Sequence, residues 1–256
     1  MLNIKSKHEI SIMRSAGEIV AGALKIAQEN IKEGISTMSL DKIVENYIIK
    51  NGASASFRGQ KGIKGAEDYP ACCCISINDE VIHGMPGKRI ILNGDVVSID
   101  VGAYYKGFNG DAARTFTVGE VTEEAKRLIK VTEESFFKSI EKAVPGNRIS
   151  DISEAIQEHA ERNGFSVLKD FTGHGIGTKL HEDPPIPNYR TRNRGVRIQE
   201  GMTLAIEPMI IYGNDEIEVL ENNWTIVTAD GSLAAHYENT IAVTENGIEI
   251  LTVLGG

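Results

Sequence analysis

Five residues of metal-ligand type, Asp100, Asp111, His174, Glu207 and Glu238, are the first candidates for chemistry in this chain. Asp100 falls at the end of the apolar run Val96 to Val101, and Asp111 opens the next, Ala112 to Val118. Between them, Tyr105-Lys106-Gly107 can form a tight hairpin turn. A two-residue loop of Tyr105-Lys106 sets Asp100 directly opposite Asp111. A loop of Lys106-Gly107 sets Asp111 opposite residue 102, one diagonal step from Asp100. Both registers place the two carboxylates on one face within reach of each other, whereas a three-residue loop would not. Ionised carboxylates so placed repel, and burying them uncompensated is costly, so a divalent cation is one fitting partner. His174 lies in Gly173-His174-Gly175-Ile176-Gly177, where glycines let backbone approach a site closely. His181 follows seven residues later. On one helix the two would be roughly 10 Å apart, which favours one imidazole as ligand and the other as substrate contact.

The elements that must position these residues repeat. A helical pattern from about Ile10 to Ile31 is followed by Gly34, a Ser/Thr-rich start, the series Leu40, Ile43, Val44, Tyr47, Ile48, and a stop at Asn51-Gly52. A second, from about Glu123 to Ala143, is followed by Pro145-Gly146, the series Ile149, Ile152, Ala155, Ile156, Ala160, and a stop at Asn163-Gly164. Gly34 to Gly52 spans the same interval as Gly146 to Gly164. His83-Gly84-Met85-Pro86 echoes His174-Gly175-Ile176-Gly177, and Gly94 to Asp100 echoes Gly201 to Glu207 with Gly, Ile and an acid in register. Asp111 then corresponds to Glu238, so the four acids form two related pairs converging on a pseudo-axis. Taken singly, an acid ending a strand is usually a solvated or capping group. Five ligand-type residues at corresponding places in a repeat argue against that reading. The pattern predicts one α/β domain with a pseudo-twofold, helices on one face and a strongly twisted, mostly antiparallel sheet on the other.

Composition narrows the field. The 256 residues include 41% apolar and only 7 Pro, which excludes disorder, and no stretch reaches the roughly 18–20 apolar residues of a membrane span. The start, MLNIKSKHEI, is too polar for a secretory signal, so a cytoplasmic protein is expected. The net charge of −9 argues against a nucleic-acid partner. Cys72, Cys73 and Cys74 are adjacent, a poor disulfide framework, and read as a buried strand in a reducing compartment. Arg190, Arg192, Arg194 and Arg197 run against the acidic average. A solvated loop is the preferred reading.

With Met13-Arg14-Ser15-Ala16-Gly17, Ile75-Ser76-Ile77-Asn78, Val81-Ile82-His83-Gly84, Gly110-Asp111, the glycine-flanked His174 segment, His181-Glu182, Glu207-Pro208-Met209 and Tyr237-Glu238, the chain resembles methionine aminopeptidases of the short bacterial, type I form, in the pita-bread metallopeptidase superfamily. The resemblance covers essentially the whole chain. It implies the pita-bread fold as a single catalytic domain over residues 1–256, with pseudo-repeats of about 1–120 and 121–256 and helices covering the outer face of a curved sheet. Asp100, Asp111, His174, Glu207 and Glu238 would be dinuclear metal ligands, with Asp111 and Glu238 bridging. Four carboxylates and one imidazole suit Mn²⁺, Fe²⁺, Co²⁺ or Zn²⁺ about equally.

The implied reaction is removal of the N-terminal methionine from peptides and nascent proteins when the second residue is small. A water activated between the metals attacks the first peptide carbonyl. Glu207 would relay its proton, His181 would hydrogen-bond the carbonyl or oxyanion, and His83 would contact the scissile nitrogen or the following residue and help protonate it. A ligated His174 must be neutral, so metal affinity and activity are expected to fall on acidification. The resemblance assigns Tyr69, Cys74 and Trp224 to the wall of the methionine pocket. Leu180 and Ala66 depart from the Phe and Tyr familiar there, implying a looser rim. A monomer is expected, and because the resembled family acts on nascent chains, a transient ribosome contact is the sharper reading of Arg190, Arg192, Arg194 and Arg197. The alternatives are an Xaa-Pro aminopeptidase or prolidase on the same fold, and a non-catalytic ribosome-associated relative.

Overall fold

Ser6 decides where the first helix begins. Its hydroxyl accepts from the Glu9 N–H at 3.3 Å while its own N–H donates to the Glu9 carboxylate at 2.7 Å. Such a capping box is worth about 1 kcal/mol. Helix α1 therefore spans Lys7–Asn30 in the computed structural model, which describes residues 2–62 and 67–254, and starts ahead of the apolar periodicity at Ile10. Helices α2 (Thr37–Lys50), α3 (Glu123–Ile140) and α4 (Ile149–Arg162) follow the predicted order. Gly34, Gly52, Gly146 and Gly164 all take positive φ, so the four glycines that mark the repeat do the same backbone work in both halves.

Each half has its own core. Val20, Leu24, Leu40, Val44, Ile75 and Ile99 close the first. Leu128, Phe136, Ile152, Ile156, Leu204 and Ile241 close the second. Each fully buried aliphatic or aromatic side chain contributes roughly 1.5–3 kcal/mol.

Among the described residues all the strand pairings are antiparallel, in line with the mostly antiparallel sheet expected, and they fall into four sheets. The first half is built on one long hairpin, Val96–Tyr105 with Phe108–Thr117. The second half breaks at Pro208, which has no N–H to continue a ladder. Thr203–Ile206 pairs with Asn239–Thr244, and after the break Met209–Ile211 pairs with Ala234–His236 in a different sheet. Glu207 and Glu238 sit at this corner, each between two strands.

The halves are sewn together beside the acids. Ala113 and Glu238 exchange backbone hydrogen bonds at 3.3 and 3.0 Å. The Thr240 hydroxyl accepts from the Asp111 N–H at 3.0 Å and donates to its carbonyl at 2.9 Å. Behind this seam the half-buried Arg114 donates to the Glu238 carbonyl at 2.6 Å and to Asn239 Oδ1 at 2.7 Å, with its guanidinium over the Tyr237 ring at 4.1 Å.

Candidate metal centre and substrate pocket

The hairpin turn is Lys106-Gly107, closed by the pair Tyr105↔Phe108. Of the two registers open to a two-residue loop, this is the diagonal one: Asp111 faces Gly102, and Asp100 faces Ala113. On the other side of the same strand Asp100 pairs with Cys74. Alternation then puts the Cys74 side chain and both aspartates on one face. Gly110 allows helix α1 to seat against this strand, because a Cβ there would lie 3.0 Å from the Gly17 nitrogen.

In the second half, flanking glycines are dictated by close strands. A Cβ on Gly173 would meet the Ala205 carbonyl at 2.5 Å, and one on Gly175 the Asp183 carbonyl at 2.2 Å. His174 Nδ1 lies 2.9 Å from the Gly175 carbonyl oxygen. A carbonyl only accepts, so the proton resides on Nδ1 and the Nε2 lone pair points into the cleft, 3.6 Å from Glu207 Oε1. Asn188 holds the Glu207 carbonyl at 3.0 Å. His174 and His181 are not a helical pair: His174 is on a strand, Thr172–Gly175, that pairs with Glu182–Pro187, and the rings meet edge-on with centroids 4.5 Å apart. The roughly 10 Å that would separate them on one helix does not apply, because strand pairing folds the segment back on itself.

Four buried carboxylates now share one space. Burial pushes Asp100 up to about 7, and it pushes Asp111, Glu207 and Glu238 well above the ordinary carboxylate range, with their mutual repulsion adding to the effect. Asp100 Oδ1, Asp111 Oδ1 and Glu238 Oε1 are buried with no hydrogen-bond partner among the described residues. Acceptors left without donors are what a cation would satisfy, and the donor set of oxygens plus imidazole fits hard or borderline divalent ions. Two groups have ligand atoms within 4.8 Å of one another: Asp111, His174 and Glu238, and Glu207, His236 and Glu238.

His236 escaped the sequence reading. Its buried Nε2 has no hydrogen bond among the described residues and lies 3.7 Å from both Glu207 Oε2 and Glu238 Oε2. The signal was available: it stands two residues before Glu238, on the same side of an extended chain.

Burial pulls every imidazole of the site below its ordinary value, His83 to about 4, His174 and His236 to about 3, and His181 less far. His174 is thus already neutral from pH 8 to 5. The groups that must lose protons to receive a cation in that range are the carboxylates, led by Asp100.

A cavity of about 290 Å³ joins these carboxylates to an apolar pocket. All three pocket residues expected from the resemblance line it. The Tyr69 and Trp224 rings meet edge-on at 5.0 Å, and Cys74 forms the floor beside Asp100. Tyr69 Oη donates to the Cys73 and Gly84 carbonyls at 3.2 Å, and Trp224 Nε1 donates to the Glu67 carbonyl at 2.9 Å. Both rings therefore present carbon to the cavity. His83, in a positive-φ conformation, stacks edge-on with Phe171 at 5.5 Å. Leu180 lines the cavity with Phe57 and Phe171, two residues the sequence gave no reason to choose. Ala66 lies outside the described residues.

The model of metallopeptidase family M24 matches residues 11–245. The chain belongs to metallopeptidase family M24. Among M24 proteins, a methionine aminopeptidase of Clostridium perfringens is 52% identical over 254 residues, covering 99% of this chain and 100% of that protein. A crystal structure of a methionine aminopeptidase from Thermotoga maritima, 45% identical, superposes with a TM-score of 0.94 over 99% of this chain and 100% of that one. The prolidase of Pyrococcus furiosus, 26% identical, gives a TM-score of 0.77, and this chain covers 66% of its length. The pita-bread M24 fold accounts for the pseudo-twofold and for the corner that carries the two glutamates.

Proposed function

We propose that this protein removes the N-terminal methionine from peptides and nascent proteins whose second residue is small. The observation that carries this reading is the union, in one cavity, of buried carboxylates without hydrogen-bond partners and an aromatic pocket that offers ring faces and a thiol to an unbranched thioether. Relatives over the full length of both chains bear that enzyme's name.

Asp100, Asp111, His174, Glu207 and Glu238 would hold two divalent ions, of which Co²⁺, Mn²⁺, Fe²⁺ and Zn²⁺ all suit the donor set. When bound, such ions polarise a carbonyl and acidify water. The remaining chemistry falls to side chains. Coordination of the free α-amine near Asp100 would make the reaction an exopeptidase one. The Glu207 carboxylate carries a proton from the attacking water to the departing amine. His181, at the exposed rim, donates to the carbonyl oxygen as it gains negative charge. His83 is uncharged at neutral pH, so it orients the scissile amide by hydrogen bonding and does not protonate it.

The protein acts as a single catalytic domain and a monomer in the cytoplasm. No helix among the described residues is long and apolar enough to cross a membrane. The arginine loop reads as solvated: Arg190 pairs with Glu154 at 2.9 Å and Arg194 with Asp151 at 2.7 Å. Ribosome co-sedimentation that falls on charge reversal of Arg190 and Arg192 would replace that reading with a docking one.

The deciding experiment presents Met-Ala-Ser and Met-Leu-Ser to metal-stripped protein with Mn²⁺ or Co²⁺ restored. Cleavage of the alanine peptide alone, lost in Asp111→Ala, is the expected result. Cleavage only of Xaa-Pro peptides would move the protein to the prolidase-type activity, and absence of bound metal would leave a non-catalytic binding protein.

A further inference from the structure

Residues 2–6 precede helix α1 and belong to the first half, yet they pack against the second. The Lys5 N–H donates to the Gly201 carbonyl at 2.7 Å. Its ammonium lies 2.5 Å from Glu182 Oε2, and the two side chains are only 6% and 2% exposed. The same ammonium donates to the Asn3 carbonyl at 3.1 Å, and Asn3 Nδ2 donates to the same Glu182 oxygen at 2.9 Å. The other oxygen, Oε1, accepts from the Lys179 N–H at 3.2 Å and the Thr178 hydroxyl at 3.3 Å. Glu182 is thus a buried junction with the arm on one side and the 177–182 loop on the other. The fit at Gly177 is tight: a Cβ there would lie 2.5 Å from Lys5 Cε and 2.7 Å from Glu182 Oε1. On the loop's far side, Asn109 donates to the Gly177 carbonyl from its backbone at 2.8 Å and its side chain at 2.9 Å. Residues 178–181 lie between this anchor and the junction, and the one next to Glu182 is His181, whose ring meets His174 at 4.5 Å.

A buried ion pair is a poor way to add stability, since apolar side chains of similar volume do as well or better. It is an effective way to fix one geometry, because displacing either charge leaves the other unpaired in a medium of low polarity. The loop needs that help, for Thr178, Lys179 and His181 are all exposed.

We propose that Lys5 is a positioning residue for His181: through Glu182 it fixes the 177–182 loop, and with it the imidazole that faces the substrate carbonyl. This rests on the role given to His181 above. A misplacement of about 1 Å at a reacting group can cost as much as 100-fold, so Lys5→Met is expected to lower kcat roughly 10–100-fold with KM nearly unchanged. Lys5→Arg, which keeps the charge, restores most of it.

A double-mutant cycle makes the test specific. If Lys5 acts through His181, Lys5→Met has no further effect on kcat in the His181→Ala background. Equal losses in both backgrounds, or wild-type kcat in Lys5→Met, overturn the proposal. Should Lys5→Met fail to fold, Lys5→Met with Glu182→Leu replaces the pair by apolar side chains, and the same cycle and outcomes apply. Mn²⁺ titration by calorimetry is expected to give unchanged affinity in every Lys5 variant; a loss there would mean a general structural role and overturn the proposal. A second readout is independent of activity. The His181 imidazole resonances, displaced by the neighbouring His174 ring, shift in Lys5→Met, and unshifted resonances overturn the proposal even if no peptide is ever cleaved. Failure of wild-type protein to cleave Met-Ala-Ser with those resonances shifted in the variant would count against the functional reading alone.

Discussion

The two halves deliver their acids by different means. In the first, ten consecutive cross-strand pairs run unbroken from Val96↔Thr117 to Tyr105↔Phe108, and both acids are aspartates within that ladder. In the second, the ladder ends at Ile206↔Asn239 and resumes at Met209↔His236, and both acids are glutamates standing in the gap. A carboxylate inside a regular ladder needs only a short side chain to reach the cleft. One carried at a corner benefits from an extra methylene and a brace, which Asn188 provides for Glu207 and Arg114 for the backbone of Glu238. The same topology has therefore produced one rigid and one braced half-site. Where the ladder is continuous, geometry follows from the turn; where it breaks, it depends on neighbours distant in sequence.

The strongest challenge to this comparison is to remove the carboxylate that each half places at the seam. Asp111→Asn and Glu238→Gln should each abolish tight metal binding, with activity falling well beyond the roughly 100-fold that an outer supporting residue is worth. Equal losses, read by Mn²⁺ calorimetry and peptide cleavage, would mean the halves contribute equally despite their construction. A mild effect of Glu238→Gln alone would assign the essential bridge to the rigid half.

The next effect is on stability and pH. In metal-free protein the four acids have folded-state pKa values raised above their unfolded ones, so the native state holds more protons than the unfolded state. Taken alone, these acids make stability decline as pH rises from the unfolded value near 4 through about 7, where Asp100 titrates, and beyond it for the other three. The four site imidazoles, held below their ordinary value, oppose this up to the unfolded histidine value near 6.5, so the net decline shows above it. Metal should remove this decline, because the ionised carboxylates gain partners. Thermal melts with chelator and with Mn²⁺ between pH 7 and 8.5, above the range in which the imidazoles offset the acids, check it. A chelated protein whose melting temperature rises with pH would contradict the sign.

These same contrasts explain what could be read from the chain beforehand. The first-half site was nearly complete in the sequence, because a two-residue turn and strict alternation fix where Asp100 and Asp111 point. The register itself needed the structure: nothing local distinguishes a Tyr105-Lys106 loop from Lys106-Gly107 beyond the preference of glycine for positive φ. The second-half acids were reachable only through the repeat and the resemblance, not from their local sequence. How near His181 comes to His174 was not legible, because the spacing of seven residues translates to a distance only once the chain is known to turn back as paired strands. Phe57 and Phe171 carry no periodic signature, and their place in the pocket is set by tertiary packing.

His236 offers a subtler probe of the braced half. It has no counterpart among the aspartates of the hairpin, and it lies equally near Glu207 and Glu238. If it steadies both carboxylates, His236→Leu should lower metal affinity by about 10–100-fold, while His236→Gln, which can still donate a hydrogen bond, should lose less. Identical affinities in the wild type and both variants would make the corner self-supporting.

The smallest expected effect tests the rigid half at its turn. Lys106 and Gly107 have φ of 47° and 95°, the positive pair of a type I′ hairpin. A Cβ on Gly107 would meet nothing within 4 Å, so Gly107→Ala adds no clash and its cost is purely conformational, about 1 kcal/mol. Lys106→Asn moves the other way, because asparagine tolerates the left-handed region better than lysine does, and should stabilise by roughly 0.5 kcal/mol. Neither change should alter metal affinity, since the ladder between the turn and Asp111 includes Ala103↔Gly110, where helix α1 clamps the strand. Urea midpoints give the stabilities and Mn²⁺ calorimetry the affinities. A turn variant that shifted affinity along with stability would show the hairpin transmitting strain from its tip to Asp111, and the rigid half would then be no more independent of its surroundings than the braced one.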